Sequence, residues 1–250
     1  MIAWLQYIVL GLVQGVTEWL PISSDGHLYL AHNLLGIPED LPLDVFLHGA
    51  SLIVLVIYFR KQLAELIRGV LTRNKADVLY VWFVILTTIA TITVALSIER
   101  WLPQLQNNKA VAVGFFLTGL LVISTRWTAI GSANKQLTWP KAVILGLAQG
   151  AAVLTGLSRS ASMLAVGLAF GFSKELAFRY TFIAAIPAIA GAFILEVPKL
   201  AIQPLHWLAF VVTLISGYIA LKLLDVLVRK EKIFYFGVYT IILAVVLFFL

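Results

Sequence analysis

The amino-acid sequence predicts an all-α polytopic membrane protein with about six transmembrane helices and two re-entrant helical hairpins, arranged as two inverted-topology repeats. Three observations predict this fold class. Of the 250 residues, 61% are hydrophobic and only 12% are charged, which is far from the composition of a soluble globular domain. Several apolar runs approach the roughly 20 residues needed to cross about 30 Å of hydrocarbon. Two more apolar regions are broken in the middle by polar residues.

Six apolar segments are predicted to cross the membrane. The clearest are 78–98 (VLYVWFVILTTIATITVALSI) and 233–250 (IFYFGVYTIILAVVLFFL). No soluble domain of any size fits between the segments, so residues 1–250 are predicted to form a single integral-membrane domain. The six predicted spans are 44–59, 78–98, 110–126, 180–197, 207–224 and 233–250.

Two regions, 2–37 and 141–172, are apolar but interrupted. The breaks are PISSDGH at 21–27 and TGLSRSAS at 155–162, and each flanking arm is too short to cross a bilayer alone. Non-helical backbone at membrane depth is tolerated only where it is buried in protein or lines a water-filled cavity. Both regions are therefore predicted to be re-entrant hairpins.

The distribution of positive charge predicts the orientation in the membrane. One side of this topology receives 14 Lys and Arg residues in its loops and the other side receives 3, while Arg159 in the second break completes the 18. Cytoplasmic loops hold an excess of Lys and Arg. Both termini are therefore expected to face outward, with the first hairpin entering from outside and the second from the cytoplasm. The 14 residues are Arg60, Lys61, Arg68, Arg73, Lys75, Arg126, Lys135, Lys141, Lys174, Arg179, Lys222, Arg229, Lys230 and Lys232.

A short internal repeat agrees with this topology. Residues 9–23 (VLGLVQGVTEWLPIS) align without gaps on 144–158 (ILGLAQGAAVLTGLS), sharing the frame LGLxQG and a later serine. Three predicted spans separate the copies, and an odd number places them in opposite orientation. Interrupted segments of such inverted repeats build sites near the bilayer midplane. The repeats are predicted at about 1–126 and 141–250.

The first break and the helix before it hold several candidate site residues. Gln14 and Glu18 are four residues apart, so on a helix they share one face and can hold one ligand or ion together. The alternative for Gln14 is a buried amide satisfied by neighbouring helices. Glu18 is an ionisable group inside a membrane segment, which costs several kcal/mol unless compensated and indicates function.

The stretch SSDGH at 23–27 supplies two hydroxyls, a carboxylate and an imidazole. Ser and Asp are favoured helix N-caps, so at least one serine is expected to be a cap. His27 can act as a base near neutral pH. A serine three residues before it could serve as nucleophile, although spacing alone is a weak signal because such sites are recognised by geometry.

The second break places Arg159 between Ser158 and Ser160. Arginine presents a planar fork of donors that suits phosphate oxygens, which predicts oxyanion binding. A structural ion pair with Glu18 or Asp25 is the alternative, and the two roles can coexist. His32 and His48 are interpreted as ordinary helix residues satisfied by their neighbours. His206 is expected in a loop beside Trp207 at the membrane interface, and no nucleic-acid partner is expected.

Taken together, QGVTEWLPISSDGH and TGLSRSAS resemble the two signature regions of the BacA/UppP family of undecaprenyl-diphosphatases, the bacitracin-resistance proteins, and the resemblance covers the whole chain. The first signature falls on Gln14, Glu18, Pro21, Ser23, Ser24 and His27. The second falls on Gly156, Ser158, Arg159 and Ser160. The departures are Thr155 for the usual Pro, Ala161 for the last Gly, and Gln14 in the first acidic position.

The resemblance implies a plasma-membrane phosphatase that removes the terminal phosphate of a polyprenyl diphosphate in an outward-opening site, with Mg²⁺ or Ca²⁺ as cofactor. The expected diphosphate ligands are Arg159, Ser23, Ser158 and Ser160. The cation is expected on Glu18, with Gln14 and Asp25. The attacking group is Ser24 or a water, with His27 as base.

A transporter or flippase for a polyprenyl phosphate or another anionic substrate is the rival prediction, because inverted repeats with broken helices also occur there. Such a protein would bind the same headgroup and release no phosphate. The expected partners are the lipid substrate and membrane lipids, and a homodimer is left open.

Overall fold

A computed structural model describes residues 2–101, 107–128, 135–230 and 232–250, and these fold into α-helices with no strand among them. The all-α prediction is therefore confirmed for the described residues. The helices are α1 (Ala3–Thr17), α2 (Ser24–Leu35), α3 (Leu41–Tyr58), α4 (Arg60–Leu71), α5 (Lys75–Trp101), α6 (Asn108–Thr128), α7 (Trp139–Ala151), α8 (Arg159–Ala169), α9 (Lys174–Glu196), α10 (Pro204–Arg229) and α11 (Phe234–Phe249).

Within these ranges, five helices are long and apolar enough to cross a membrane, namely α3, α5, α6, α9 and α10. They coincide with five of the six predicted spans, which makes the chain a multi-pass membrane protein. Helix α5 begins at Lys75 and α10 ends at Arg229, so both helices continue beyond their apolar runs. Charged residues are tolerated at such helix ends because their long side chains can place the charge in water at the membrane surface. The sixth predicted span, 233–250, is α11, whose 16 residues measure about 24 Å at the usual helical rise.

Both predicted hairpins have a helix–break–helix form. Helix α1 packs against α2 across the first break, and α7 packs against α8 across the second. The Ser23 hydroxyl accepts a hydrogen bond from the Gly26 backbone N–H (3.3 Å), and the Ser158 hydroxyl accepts one from the Ala161 N–H (3.2 Å). The serine cap expected in SSDGH is therefore confirmed, and Ser158 is a cap at the matching position of the internal repeat.

Two local predictions were wrong. The loop predicted between the first two spans contains α4, whose Leu66 and Gly69 are buried while Arg60 and Lys61 are exposed. A search for long apolar runs overlooks such a short amphipathic helix because its polar face interrupts every run. His206 lies in the first turn of α10 rather than in a loop, because Pro204 starts that helix.

The repeated frame LGLxQG has a packing role in both halves. Helix α1 lies against α10, and α7 lies against α5. A side chain on any of four glycines would collide with a backbone carbonyl of the partner helix, so close approach requires glycine there. The pairs are Gly11 with Ala209, Gly15 with Thr213, Gly146 with Thr87, and Gly150 with Thr91.

Other helices also pack across the boundary between the two halves of the chain. Helix α3 packs against α9, and α6 packs against α11, so corresponding helices of the two halves meet each other. Two copies related by a twofold axis would produce this pairing. The opposite orientation of the repeats in the membrane stays a prediction, and residues 1 and 102–106 of the first predicted repeat lie outside the described residues.

We predict that Gly146→Ala lowers the unfolding temperature of the detergent-solubilised protein. The added methyl group would force α7 away from α5, and overpacking of this kind costs about 1–3 kcal/mol. Gly191→Ala is the matched control because it lies within α9 and its new methyl group would meet no atom within 4 Å. Equal unfolding temperatures for the two variants would contradict the packing role of Gly146.

Candidate functional site

The two polar breaks meet inside the protein. A Cβ atom placed on Gly26 in the first break would lie 3.0 Å from the Cα of Gly156 in the second. Gly156 has a φ of 91°, a backbone conformation that favours glycine. The Ser160 hydroxyl also donates to the Leu20 carbonyl across the junction (3.3 Å). The meeting of the two hairpins, predicted from the sequence, is therefore observed.

Glu18 lies at the centre of this junction. Its side chain is only 1% exposed, and its Oε1 is paired with the Arg159 guanidinium. Its Oε2 accepts hydrogen bonds from the Ser24 hydroxyl (2.6 Å) and from the Gln14 amide (3.2 Å). The Glu18 carboxylate therefore contacts three other predicted site residues, which come from both hairpins.

Arg159 is the first residue of α8, and the ion-pair alternative considered for it is realised with Glu18. Its side chain is 24% exposed, so the guanidinium also borders accessible space. The flanking Ser158 and Ser160 are buried, with their hydroxyl oxygens 3.1 Å apart. The Ser158 backbone N–H donates to the Thr118 hydroxyl (2.8 Å), which fixes the start of α8 against α6.

The helices α2 and α8 both begin at the junction. Helix N-termini carry partial positive charge and bind phosphate through their first N–H groups. Ser23, the cap of α2, has a φ of 69°, which is unusual for a residue other than glycine. Strain of this kind costs about 1–3 kcal/mol and clusters at functional sites. The backbone at the first break is therefore held in a strained conformation at the point where α2 begins.

His27 is turned towards other partners than Ser24. Its Nδ1 lies 2.7 Å from the Ser23 carbonyl oxygen and its Nε2 lies 2.8 Å from the Tyr239 hydroxyl. A carbonyl only accepts, so Nδ1 donates and Nε2 accepts from Tyr239. The ring also packs edge-on against Phe115. The role of His27 as a base stays a prediction, and it requires Nε2 to leave Tyr239.

His48 is a helix residue satisfied by its neighbours, as expected, but two of those neighbours are carboxylates of the site, which the sequence did not indicate. On α3, its Nε2 lies 3.2 Å from Glu18 Oε2 and 3.5 Å from Asp25 Oδ1. Its position inside a predicted span was the signal that could have identified it, by the same rule that identified Glu18. His32 is satisfied at one ring nitrogen, since its Nε2 lies 3.0 Å from Asp44 Oδ1, while its buried Nδ1 has no hydrogen-bond partner among the described residues.

The donor set has the chemistry of a hard divalent cation site. Mg²⁺ and Ca²⁺ prefer carboxylate and carbonyl oxygens. Among the described residues, the buried Gln14 Oε1 has no hydrogen-bond partner, and it adjoins the Glu18 carboxylate. No group of three or more His, Cys, Asp or Glu residues in these ranges is already arranged to hold a metal ion. A cation would therefore depend on the Gln14 amide oxygen together with Glu18 and Asp25.

The chain was compared with known proteins. The sequence profile of the family described as bacitracin resistance protein BacA matches residues 7–246. The undecaprenyl-diphosphatase of Methanobrevibacter smithii is 35% identical, over 98% of this chain and 96% of that protein. Undecaprenyl-diphosphatase 1 of Shouchella clausii is also 35% identical, over 98% and 95%. The undecaprenyl-diphosphatase of Treponema denticola is 33% identical, over 94% and 93%.

We predict that Arg159→Gln lowers the unfolding temperature, because Glu18 would remain as a buried charge without its guanidinium partner. Removal of one partner of a buried pair costs about 3–5 kcal/mol. The double variant Glu18→Gln, Arg159→Gln buries no charge and should recover most of the loss. A double variant that unfolds no higher than Arg159→Gln alone would contradict the importance of this pair.

Proposed function

The chain belongs to the bacitracin resistance protein BacA family, and on this basis we propose that it is an undecaprenyl-diphosphatase. The reaction is the hydrolysis of undecaprenyl diphosphate to undecaprenyl monophosphate and phosphate. The observation that carries this proposal is the junction of the two hairpins, where Arg159, Glu18 and Ser24 meet. An arginine can bind phosphate oxygens, a carboxylate can accept a proton and a hydroxyl can attack phosphorus, which together suit cleavage of the phosphoanhydride bond of a diphosphate.

The lipid product is the carrier used for cell-envelope glycan synthesis, so the proposed role is recycling of that carrier for peptidoglycan. We place the protein in the plasma membrane with its site open to the outer face, which the bias of Lys and Arg towards the opposite loops supports. The polyprenyl tail would lie between helices in contact with lipid. A homodimer stays a prediction.

Arg159 is the proposed anchor of the diphosphate. A guanidinium has five N–H donors and binds phosphate oxygens in a bidentate way. The Ser23, Ser158 and Ser160 hydroxyls and the first N–H groups of α2 and α8 surround the same junction. The negative headgroup would therefore bind where two helix N-termini and one arginine converge.

Ser24 is the proposed nucleophile, with a water molecule as the alternative. Its hydroxyl already donates to Glu18 Oε2, so Glu18 is placed to accept the proton when Oγ attacks. The Ser24 oxygen would form a bond to the terminal phosphorus, and the bond from that phosphorus to the bridging oxygen would break. Undecaprenyl monophosphate leaves, and water then hydrolyses the phosphoserine with His27 as the predicted base.

A divalent cation, Mg²⁺ or Ca²⁺, is part of the proposal. Glu18, Gln14 and Asp25 would hold it, and when bound it would neutralise charge on the diphosphate. The unpartnered amide oxygen of Gln14 supports this assignment.

The transporter or flippase alternative has less support. The three relatives compared above are all named as diphosphatases, and a transporter would release no phosphate. The two functions therefore differ in one measurable product.

We predict that purified protein releases inorganic phosphate from undecaprenyl diphosphate, that EDTA abolishes the release, and that added Mg²⁺ or Ca²⁺ restores it. Glu18→Gln should lower kcat by about 100-fold or more, since it removes the acceptor of the Ser24 proton. Glu196→Gln is the control because Glu196 pairs with Lys199 at the surface, outside the site. Turnover by Glu18→Gln equal to that of the control would contradict the assignment.

The role of His27 can be separated from its bond to Tyr239. We predict that His27→Ala lowers kcat by about 100-fold and alters the pH profile, as expected for loss of a base. Tyr239→Phe removes only the hydroxyl partner of Nε2 and should keep kcat within about twofold of wild type. An equal loss in both variants would instead indicate that the ring only holds the loop in place.

A further inference from the structure

His48 faces hydrogen-bond acceptors at both ring nitrogens. Its side chain is 16% exposed on the inner face of α3. Nδ1 lies 2.8 Å from the Asp44 backbone carbonyl oxygen, one helical turn earlier. Nε2 lies between Glu18 Oε2 and Asp25 Oδ1. The ring therefore connects the backbone of α3 to two carboxylates of the site.

The orientation of the ring is fixed from behind. Backbone carbonyl and carboxylate oxygens only accept, so Nδ1 donates to Asp44 and Nε2 donates to the carboxylates, with a proton on both ring nitrogens. The hydrogen bond at Nδ1 fixes the direction in which Nε2 points. The Asp44 carboxylate is held in turn by His32 of α2 at 3.0 Å. Two histidines therefore connect the start of α3 to the first hairpin.

We infer that His48 is a positioning residue of this site, which holds the carboxylates of Glu18 and Asp25 side by side. The inference rests on the proposed function. Two neighbouring carboxylates repel each other, and an N–H donor that contacts both offsets that repulsion. Glu18 is held on its other side by Arg159, so His48 completes its support on the side of Asp25.

The replacement of an acid by Gln14 gives Asp25 a particular importance in this chain. Gln14 brings no charge, and its amide donates to Glu18 and to the Ser51 hydroxyl (3.4 Å). Asp25, in the first turn of α2, is 49% exposed and would be free to turn towards water without a partner. Contact with His48 keeps it beside Glu18, so Asp25 becomes the second carboxylate of the site.

This arrangement predicts that His48 affects turnover more than substrate binding. His48 contacts the carboxylates, whereas the proposed diphosphate ligands are Arg159 and the serines beside it. Loss of the imidazole would displace Asp25 and the Glu18 oxygen that accepts from Ser24. The expected effect is a lower kcat with little change in KM.

The test measures phosphate release from undecaprenyl diphosphate by His48→Leu and His48→Gln. His48→Leu should lower kcat by about tenfold or more with KM within about threefold of wild type, because transition-state groups move while headgroup ligands stay. The amide of His48→Gln reaches about as far and keeps an N–H donor, so its kcat should stay within about threefold of wild type. His206→Leu is the control, a buried histidine outside the site.

A double-mutant cycle with Asp25→Asn tests whether His48 acts through Asp25. Residues in contact give non-additive effects, so the double variant His48→Leu, Asp25→Asn should be no slower than the slower single variant. Unfolding temperatures of the same four proteins should show the same non-additivity. Wild-type kcat in His48→Leu, equal loss in His48→Gln, or additive effects would overturn the inference. Absence of phosphate release from wild type would overturn the proposed function, while the unfolding temperatures would still test the contact.

Discussion

The buried carboxylate of Glu18 is the constraint on which the rest of the structure depends. An ionised group at membrane depth costs several kcal/mol unless donors surround it. Here the donors come from four elements: Arg159 from the second hairpin, Ser24 from α2, Gln14 from α1 and His48 from α3. No single hairpin supplies them all, so the two breaks have to meet. The same requirement that makes Glu18 tolerable in the membrane brings together the residues of the proposed phosphate site.

Close helix packing gives the breaks their position. Glycines allow α1 to pack closely against α10, and α7 against α5. The breaks that follow α1 and α7 meet at the junction. Serine caps then begin α2 and α8 at the junction, and Arg159 is the first residue of α8. The irregular backbone that looked misplaced in an apolar sequence is thereby shielded from lipid by protein. A phosphatase for a lipid-linked diphosphate needs such a polar centre within the bilayer.

Local patterns in the sequence predicted most of the fold. Apolar runs located the spans, polar interruptions located the hairpins, and the preference of serine for N-caps predicted a cap in SSDGH, where α2 begins. Contacts between distant segments could not be predicted in this way. His48 reaches Glu18 from another helix, and His27 bonds to Tyr239 at the far end of the chain. Helix α4 was missed for a different reason, since its apolar face is too short and too interrupted to form a run.

The most direct test of this account is a structure of the protein with a non-hydrolysable methylene-diphosphonate analogue of undecaprenyl diphosphate. The account predicts the terminal phosphonate within hydrogen-bond distance of the Arg159 guanidinium and in contact with the Ser24 hydroxyl, at the junction of the two hairpins. An analogue bound elsewhere, with the pair between Glu18 and Arg159 unchanged and Ser24 remote from the phosphonate, would contradict the central claim that this junction is the phosphatase site.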